Sequence, residues 1–286
     1  MVKILIICIS LFISLNASPK KQNNITLDVK NIELVEKIKT FISDTKYEEN
    51  KRFINIIFKP TKKYFTKDMI NDVKVIKTLK ENGLLKLLFD KPQELKLSFK
   101  TSSSPIFFIK VVGDTLNNIG YYRYVTTKSN LDNSEFIWNI SMESEYATDP
   151  LILDKELHKM GAYIVNIKRN SYNNWEYTID MEKAKLNLYT LKVNEEYKLK
   201  RSLYASWLNV SKVQKLKIYS SIRNNWYPKI SYYDSSLHLL NVIEKQKKIT
   251  TILLDIPKQA QYIKISDSYT LKNIKSNLIL TPSVLR

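Results

Sequence analysis

"YATDPLILDKELHKMG" (residues 146–161) and, eighty residues earlier, "YFTKDMINDVKVIKTLKENG" (residues 64–83) share one outline. Each opens on a Tyr, Tyr146 and Tyr64, followed two residues later by a Thr, Thr148 and Thr66, suited to a helix N-cap. Each closes on Leu-x-x-x-Gly, Leu157 to Gly161 and Leu79 to Gly83, which suits a helix stopped by a left-handed glycine. The chain has only 4 glycines in 286 residues, so two of them at matching points predict a duplicated unit.

The flanks extend the match. "FINIIF" (53–58) and "FIWNISM" (136–142) precede the two helices as β-branched and aromatic runs, the pattern of strands. After Gly83 come "LLKLLF", a Lys-Pro turn and "ELKLSF"; after Gly161 come "AYIVNI", an Asn-rich turn and "WEYTIDM". Alternation at Leu95, Leu97, Phe99 and at Trp175, Tyr177, Ile179 marks half-buried strands. Each unit therefore reads β-α-β-β, one over 53–99 and one over 136–181. Between them "PIFFIKVVGDTLNNIGYYRYVTT" (105–127) reads as a long hairpin, and "SSSP" (102–105) as the loop entering its first strand. Upstream, "IELVEKIKTFI" spaces Ile32, Leu34, Val35, Ile38, Phe41 and Ile42 as a helix.

The last hundred residues read as short strands separated by Asn, Asp, Ser and Pro. They are "LNLYTLKV", "YASWLNV", "KLKIYSS", "KISYYD", "TTILLDI", "YIKIS" and "SNLILT", with one doubtful helix in "SLHLLNVIEK". That density predicts an all-β sandwich or jelly roll. The expected organisation is a signal peptide over 1–17, a duplicated α+β domain over 24–183 and a basic β-sandwich over 187–286.

Export rests on the first residues. "MVKILIICISLFISLNAS" has one Lys, an apolar run from Ile4 to Leu15 and then small residues, the proportions of a cleaved secretory signal ending at Ala17. Cleavage there would remove Cys8, the single cysteine, leaving an exported chain that relies on core packing rather than disulfides. Abundant Lys, Asn, Ile and Tyr with little Gly suit an AT-rich bacterial genome, and with it a periplasm. The 44% apolar and 26% charged fractions argue against wholesale disorder.

Charge is uneven. Residues 187–286 hold 17 Lys and Arg against 6 Asp and Glu, whereas residues 18–186 hold 28 against 22. A field of that sign favours anionic partners, which include lipid headgroups at a peripheral membrane contact, acidic glycans or an acidic envelope protein. Nucleic acid is not expected, because no binding motif accompanies the charge.

Chemistry is sparse. His158 and His238 fall in different domains, so no His pair is spaced to ligate zinc. The sequence carries no Gly-x-Ser-x-Gly, Ser-x-x-Lys, phosphate-loop or dinucleotide fingerprint. Glu143, Glu145 and Asp149 sit at a helix start, where acids suit the dipole. No catalytic residue, metal or cofactor is therefore expected, and the function expected is that of a non-enzymatic binding or scaffolding protein. The alternative is glycan recognition through "NNWYPKISYYD" (224–234), with Asn225, Trp226, Tyr227, Tyr232, Tyr233 and Asp234 as the ligand-binding set. In that reading Trp226 and the tyrosines stack on sugar faces while Trp207 is buried.

Two resemblances follow. The tandem β-α-β-β pattern over residues 50–183 resembles the periplasmic ferredoxin-like domains of type IV pilus and type II secretion assembly-platform proteins, implying an envelope scaffold. The C-terminal pattern "WLNV…LKIYSS…WYPKISYYD…YIKISD" is similar to the pre-peptidase C-terminal-type jelly-roll modules of secreted bacterial proteins, implying an accessory binding domain.

Overall fold

The computed structural model describes residues 19–132 and 134–284, with side chains from residue 29 onward. The expected signal peptide lies outside the described residues. The chain divides into two compact units at Leu85 and Lys86, and among the described residues its content is mixed: five α-helices and several largely antiparallel sheets.

The first unit is helical. Helix α1 (Pro19–Ile42) buries Leu34, Ile38, Phe41 and Ile42, in keeping with the helical spacing of that stretch. Helix α2 (Asp44–Ile57) begins after Ser43, whose hydroxyl accepts the Lys46 N–H. This helix absorbs most of "FINIIF", which is therefore not a strand. Its inward stripe is Tyr47 and Ile54, seven residues apart, while Phe53 and Ile56 face outward. The helix formers Glu48, Glu49, Lys51 and Arg52 carry the helix into a β-branched run whose own propensity is the weaker influence. A two-stranded ribbon, β1 (Phe65–Thr66) and β2 (Met69–Ile70), leads to α3 (Asp72–Glu81). Thr66 lies in that ribbon, and Asn71 is the N-cap, accepting the Lys74 N–H at 3.0 Å. Buried Asp72 pairs with Lys37 at 2.7 Å, tying α3 to α1. Tyr64 is buried, its hydroxyl 3.1 Å from the Ile57 carbonyl and 3.0 Å from the Thr78 hydroxyl.

The second unit opens with β3 (Leu88–Thr101), a single strand rather than two split by a Lys-Pro turn. Its register with the later β5 slips between Leu88 and Gln93, so Pro92 sits in a bulge where no ladder N–H is needed. Next comes α4 (Pro105–Asn118) where a hairpin was expected, so "SSSP" leads into a helix and not a strand. Pro105 occupies the first turn, and Phe107, Phe108, Val111, Val112, Thr115 and Leu116 form a buried helical stripe. Strand β4 (Val125–Asp132) is exposed along its length and pairs with β5 (Glu135–Tyr146). Helix α5 (Pro150–Lys159) and the hairpin β6 (Tyr163–Ser171) and β7 (Asn174–Asp180) complete a five-stranded sheet of order β4-β5-β3-β7-β6. β3 is parallel to β7, and the other pairs are antiparallel. The core lies on the face carrying Leu95, Leu97, Phe99, Trp138, Ile140, Trp175 and Tyr177.

The expected β-α-β-β unit is present over 135–180 and not over 53–99. What recurs is the helix stop. Leu84 N–H donates to the Leu79 carbonyl at 2.8 Å and Gly83 N–H to Lys80 at 3.1 Å; Ala162 donates to Leu157 at 3.1 Å and Gly161 to His158 at 3.0 Å. A third copy ends α4, with Tyr121 donating to Leu116 at 2.9 Å and Gly120 to Asn117 at 3.1 Å. All three glycines have positive φ, at 72°, 100° and 73° in chain order. The helix α5 cap is Asp149, accepting the Leu151 N–H at 3.0 Å, while Thr148 is buried beneath it and Tyr146 is exposed.

The C-terminal part holds β8 (Tyr197–Leu199), β9 (Ser206–Asn209), β10 (Lys215–Ser220), β11 (Pro228–Tyr233), β12 (Leu239–Glu244), β13 (Thr251–Asp255), β14 (Tyr262–Asp267) and β15 (Leu278–Ser283). They form two four-stranded antiparallel sheets, β13-β10-β15-β8 and β12-β11-β14-β9, around one shared core. "SLHLLNVIEK" contains strand β12, not a helix. "LNLYTLKV" contributes one bridge, Thr190 to Asn209, rather than a strand.

Candidate functional site

Strand alternation separates the six expected ligand residues. Ile230 and Tyr232 point between the sheets while Ser231 and Tyr233 point out, so adjacent Tyr232 and Tyr233 occupy opposite faces. Trp226 and Tyr232 are both 0% exposed and cannot stack on a sugar; Trp226 donates its indole N–H to the Ser266 carbonyl at 2.9 Å. Burial disfavours the phenolate of Tyr232 and pushes its pKa up to about 12. Asn225 is exposed but accepts from Lys248 at 3.3 Å, and Tyr227 packs edge-on to Tyr269 at 5.0 Å. Asp234 caps the turn into β12, accepting the Ser236 N–H at 2.8 Å and the His238 N–H at 2.9 Å. The set is mostly scaffold rather than one site.

Other polar residues of this region are also structural. Buried Asn224 accepts from the backbone of Lys275 at 2.8 Å and of Ser276 at 2.7 Å. Asp267 gathers the N–H groups of Tyr227, Tyr269 and Thr270, each at 2.9 Å. A carboxylate or amide whose lone pairs hold loops together is not available to read hydroxyls.

Two outer faces of the sandwich remain, and they differ. On the β13-β10-β15-β8 sheet, Lys215, Lys217 and Tyr219 of β10 point outward beside Leu253 of β13, Ile279 and Thr281 of β15 and Lys198 of β8. Tyr219 is 44% exposed and Leu253 63%, a large apolar surface to leave in water among lysines. Asp255 is the acid of this face, 3.5 Å from Lys215. At the Tyr219 end the chain continues into exposed Ile222 and Arg223, and Lys248 donates to the Ile222 carbonyl at 3.1 Å, bracing that turn.

On the β12-β11-β14-β9 sheet, Trp207 and Tyr233 meet with ring centres 4.9 Å apart, and the Lys264 ammonium sits 5.5 Å from the Trp207 ring. Trp207 is thus half-buried at the surface, the reverse of its expected place. Lys229 on this face pairs with Glu244 at 3.3 Å, which lowers its net charge. Tyr262, also on this side, is covered, its hydroxyl accepting the Leu186 N–H at 3.3 Å. The signal missed in the sequence is a simple one: Trp207 follows Ser206 and precedes core Leu208, so alternation alone sends it outward.

Among the described residues, no group of three or more His, Cys, Asp or Glu is placed to hold a metal ion. No helix among them is long and apolar enough to cross a membrane. His158 is exposed, 2.7 Å from the Asp154 carbonyl, in a surface helix.

No known protein family and no curated protein matches the chain. A solved structure of accessory secretory protein 1, 2 and 3 in Streptococcus pneumoniae overlaps 27% of this chain at 13% identity and a TM-score of 0.19. The chain spans 55% of that neighbour's length, and a likeness this low carries no argument about fold or function.

Proposed function

We propose that this is an exported, non-enzymatic envelope protein of a bacterial periplasm whose basic sandwich docks on an anionic membrane surface. The observation that carries the reading is the outer face of β10 and its neighbours. Lys198, Lys215 and Lys217 there surround the exposed side chains of Tyr219 and Leu253. Each Lys near a negatively charged leaflet contributes about 1 kcal/mol, and apolar tips add by entering the headgroup layer.

The architecture is compatible with this role. The two sheets interleave the eight strands in the order expected of a jelly roll, which supports reading the C-terminal part as an accessory binding module. The passage from β3 through α4 to β4, with antiparallel β5 between the two strands, supports a ferredoxin-like frame with one added strand.

The test is co-sedimentation of the protein with phosphatidylcholine vesicles, with and without phosphatidylglycerol. Binding is expected only to the anionic vesicles, and is expected to fade as added salt shrinks the screening length towards about 3 Å at 1 M. Lys217→Glu should weaken it strongly, and Lys264→Glu, on the other face, only slightly. Equal binding to both vesicle types would overturn the reading.

The Trp207–Tyr233 pair supports a second reading, glycan stacking on the opposite face. Apolar contact and desolvation would drive that binding, so it should survive salt and be lost in Trp207→Ala.

A further inference from the structure

The second unit carries a cleft far from this chemistry in sequence, made where β3 leaves its partner. The β3–β5 register passes from Leu88 opposite Tyr146 to Gln93 opposite Ser144, so residues 89–92 stand out against a single residue of β5. The turn between β6 and β7 lies alongside and is held there by hydrogen bonds to the β3 backbone. Asn173 donates its amide to the Glu94 carbonyl at 2.8 Å and accepts the Lys96 N–H at its own carbonyl, also at 2.8 Å. Between the bulge and the turn is a cleft of about 470 Å³, within the range of small-ligand sites.

Its lining combines cations with aromatic surface. Lys86, Lys91 and Arg169 line it together with Phe89 and Tyr172, whose rings meet edge-on at 5.9 Å, and Asp90 is its acid. Arg169 is held in place, its guanidinium carbon 5.3 Å from the ring of fully buried Trp175. Trp175 is fixed in turn by donating to the Tyr172 carbonyl at 3.2 Å. Burial lowers the pKa of Arg169, the mark of a cation partly stripped of water. A planar guanidinium fixed by stacking suits a carboxylate, which it can engage with two parallel hydrogen bonds. The exposed Tyr172 ring beside it suits the apolar face of a pyranose.

We propose that this cleft binds an acidic saccharide, with Arg169 engaging a uronate carboxylate and Tyr172 stacking on its ring. Lys86 and Lys91 extend the positive rim along which neighbouring uronates would lie. This site is independent of the sandwich face, and neither proposal rests on the other.

The experiment is calorimetric titration of the full chain with trigalacturonate, with a neutral galactose trimer and inorganic phosphate as competing probes. Binding is expected for trigalacturonate alone. It should weaken at least tenfold in Arg169→Lys, which keeps the charge and loses the planar fork, and similarly in Tyr172→Ala. The melting temperature of each variant shows whether it folds. Lys91→Ala, at an exposed position, gives a readout that does not disturb the Trp175 contact and should weaken binding by a smaller factor. Absence of binding to trigalacturonate, equal binding of the neutral trimer, displacement by phosphate, or retention of affinity in folded Arg169→Lys and Tyr172→Ala would each overturn the proposal.

Discussion

Helices α3 and α5 end in the same way, on Leu-x-x-x-Gly with matching hydrogen bonds and φ values of 72° and 73°, yet the chain leading into them differs completely. Before α5 lies β5, an interior strand of a five-stranded sheet; before α3 lie a helix, a turn and a two-stranded ribbon. The likeness therefore belongs to the stop and not to a duplicated unit. This kind of helix ending places a left-handed residue after the last turn with an apolar contact back to it, and Leu-x-x-x-Gly supplies both without any need for a repeat. That α4 uses it a third time, within no repeat, makes the same point.

The two stops also differ in what surrounds them, and this gives the largest expected effect. A Cβ added at Gly161 would lie 2.4 Å from the Lys183 carbonyl oxygen, because the chain leaving β7 passes against the helix end. Its Lys185 N–H donates to the Met160 carbonyl at 2.7 Å. Left-handed strain and backbone overlap together should make Gly161→Ala cost about 4 kcal/mol. Urea denaturation checks this; a cost under about 1 kcal/mol would show that the close approach is absent.

The second test asks whether residues 53–58 are truly unlike residues 136–142. In a strand, Ile54 and Ile56 would share a face; in helix α2 they point apart, and Ile54 is 1% exposed against 69% for Ile56. Ile54→Ala should cost about 3 kcal/mol and Ile56→Ala less than about 0.5 kcal/mol. Similar losses at both positions would restore the strand and with it the duplication.

The sandwich was the most legible part of the sequence. Six of its eight strands fall within a few residues of runs legible as strands; β8 escapes because three residues are too few for a pattern, and β12 because its run "SLHLLNVIEK" also spaces its apolar residues as a helix would. The α+β region was harder. "FINIIF" and "PIFFIKVV" are β-branched and aromatic, and propensity alone reads them as strands. Their partners in space are helix-facing cores, so the stripes Tyr47–Ile54 and Phe107–Phe108–Val111–Val112 prevail. The functional surface was hardest of all. Alternation separates Tyr232 from Tyr233 but does not tell which face is the core; the opposite sheet decides that, and it took in Trp226 and Tyr232 while leaving Trp207 at the surface.

That inversion has a pH consequence. The unfolded Tyr232 hydroxyl should ionise near 10, whereas in the fold its pKa stands at about 12. A raised folded value means the stability is intact below pH 10 and falls as pH climbs to 12, by up to about 3 kcal/mol. Tyr232→Phe removes the ionisable group and a buried hydroxyl, and should flatten this alkaline loss without harming stability at neutral pH. An unchanged alkaline transition in the variant would place Tyr232 in water and reopen the stacking role expected of it.

The smallest effect is at the other stop. Gly83 has the same left-handed backbone as Gly161, but a Cβ there would meet nothing within 4 Å. Gly83→Ala should therefore cost only the conformational strain, about 1–2 kcal/mol. Gly83→Asn should cost less, since Asn enters the left-handed region more readily. At Gly161 the same Asn should give no relief, because the Lys183 carbonyl blocks any Cβ whatever its conformational preference. Measured by urea denaturation of the four variants, the gap between Ala and Asn should appear at position 83 alone. A gap of equal size at both would mean that the two helix ends share their surroundings as well as their hydrogen bonds.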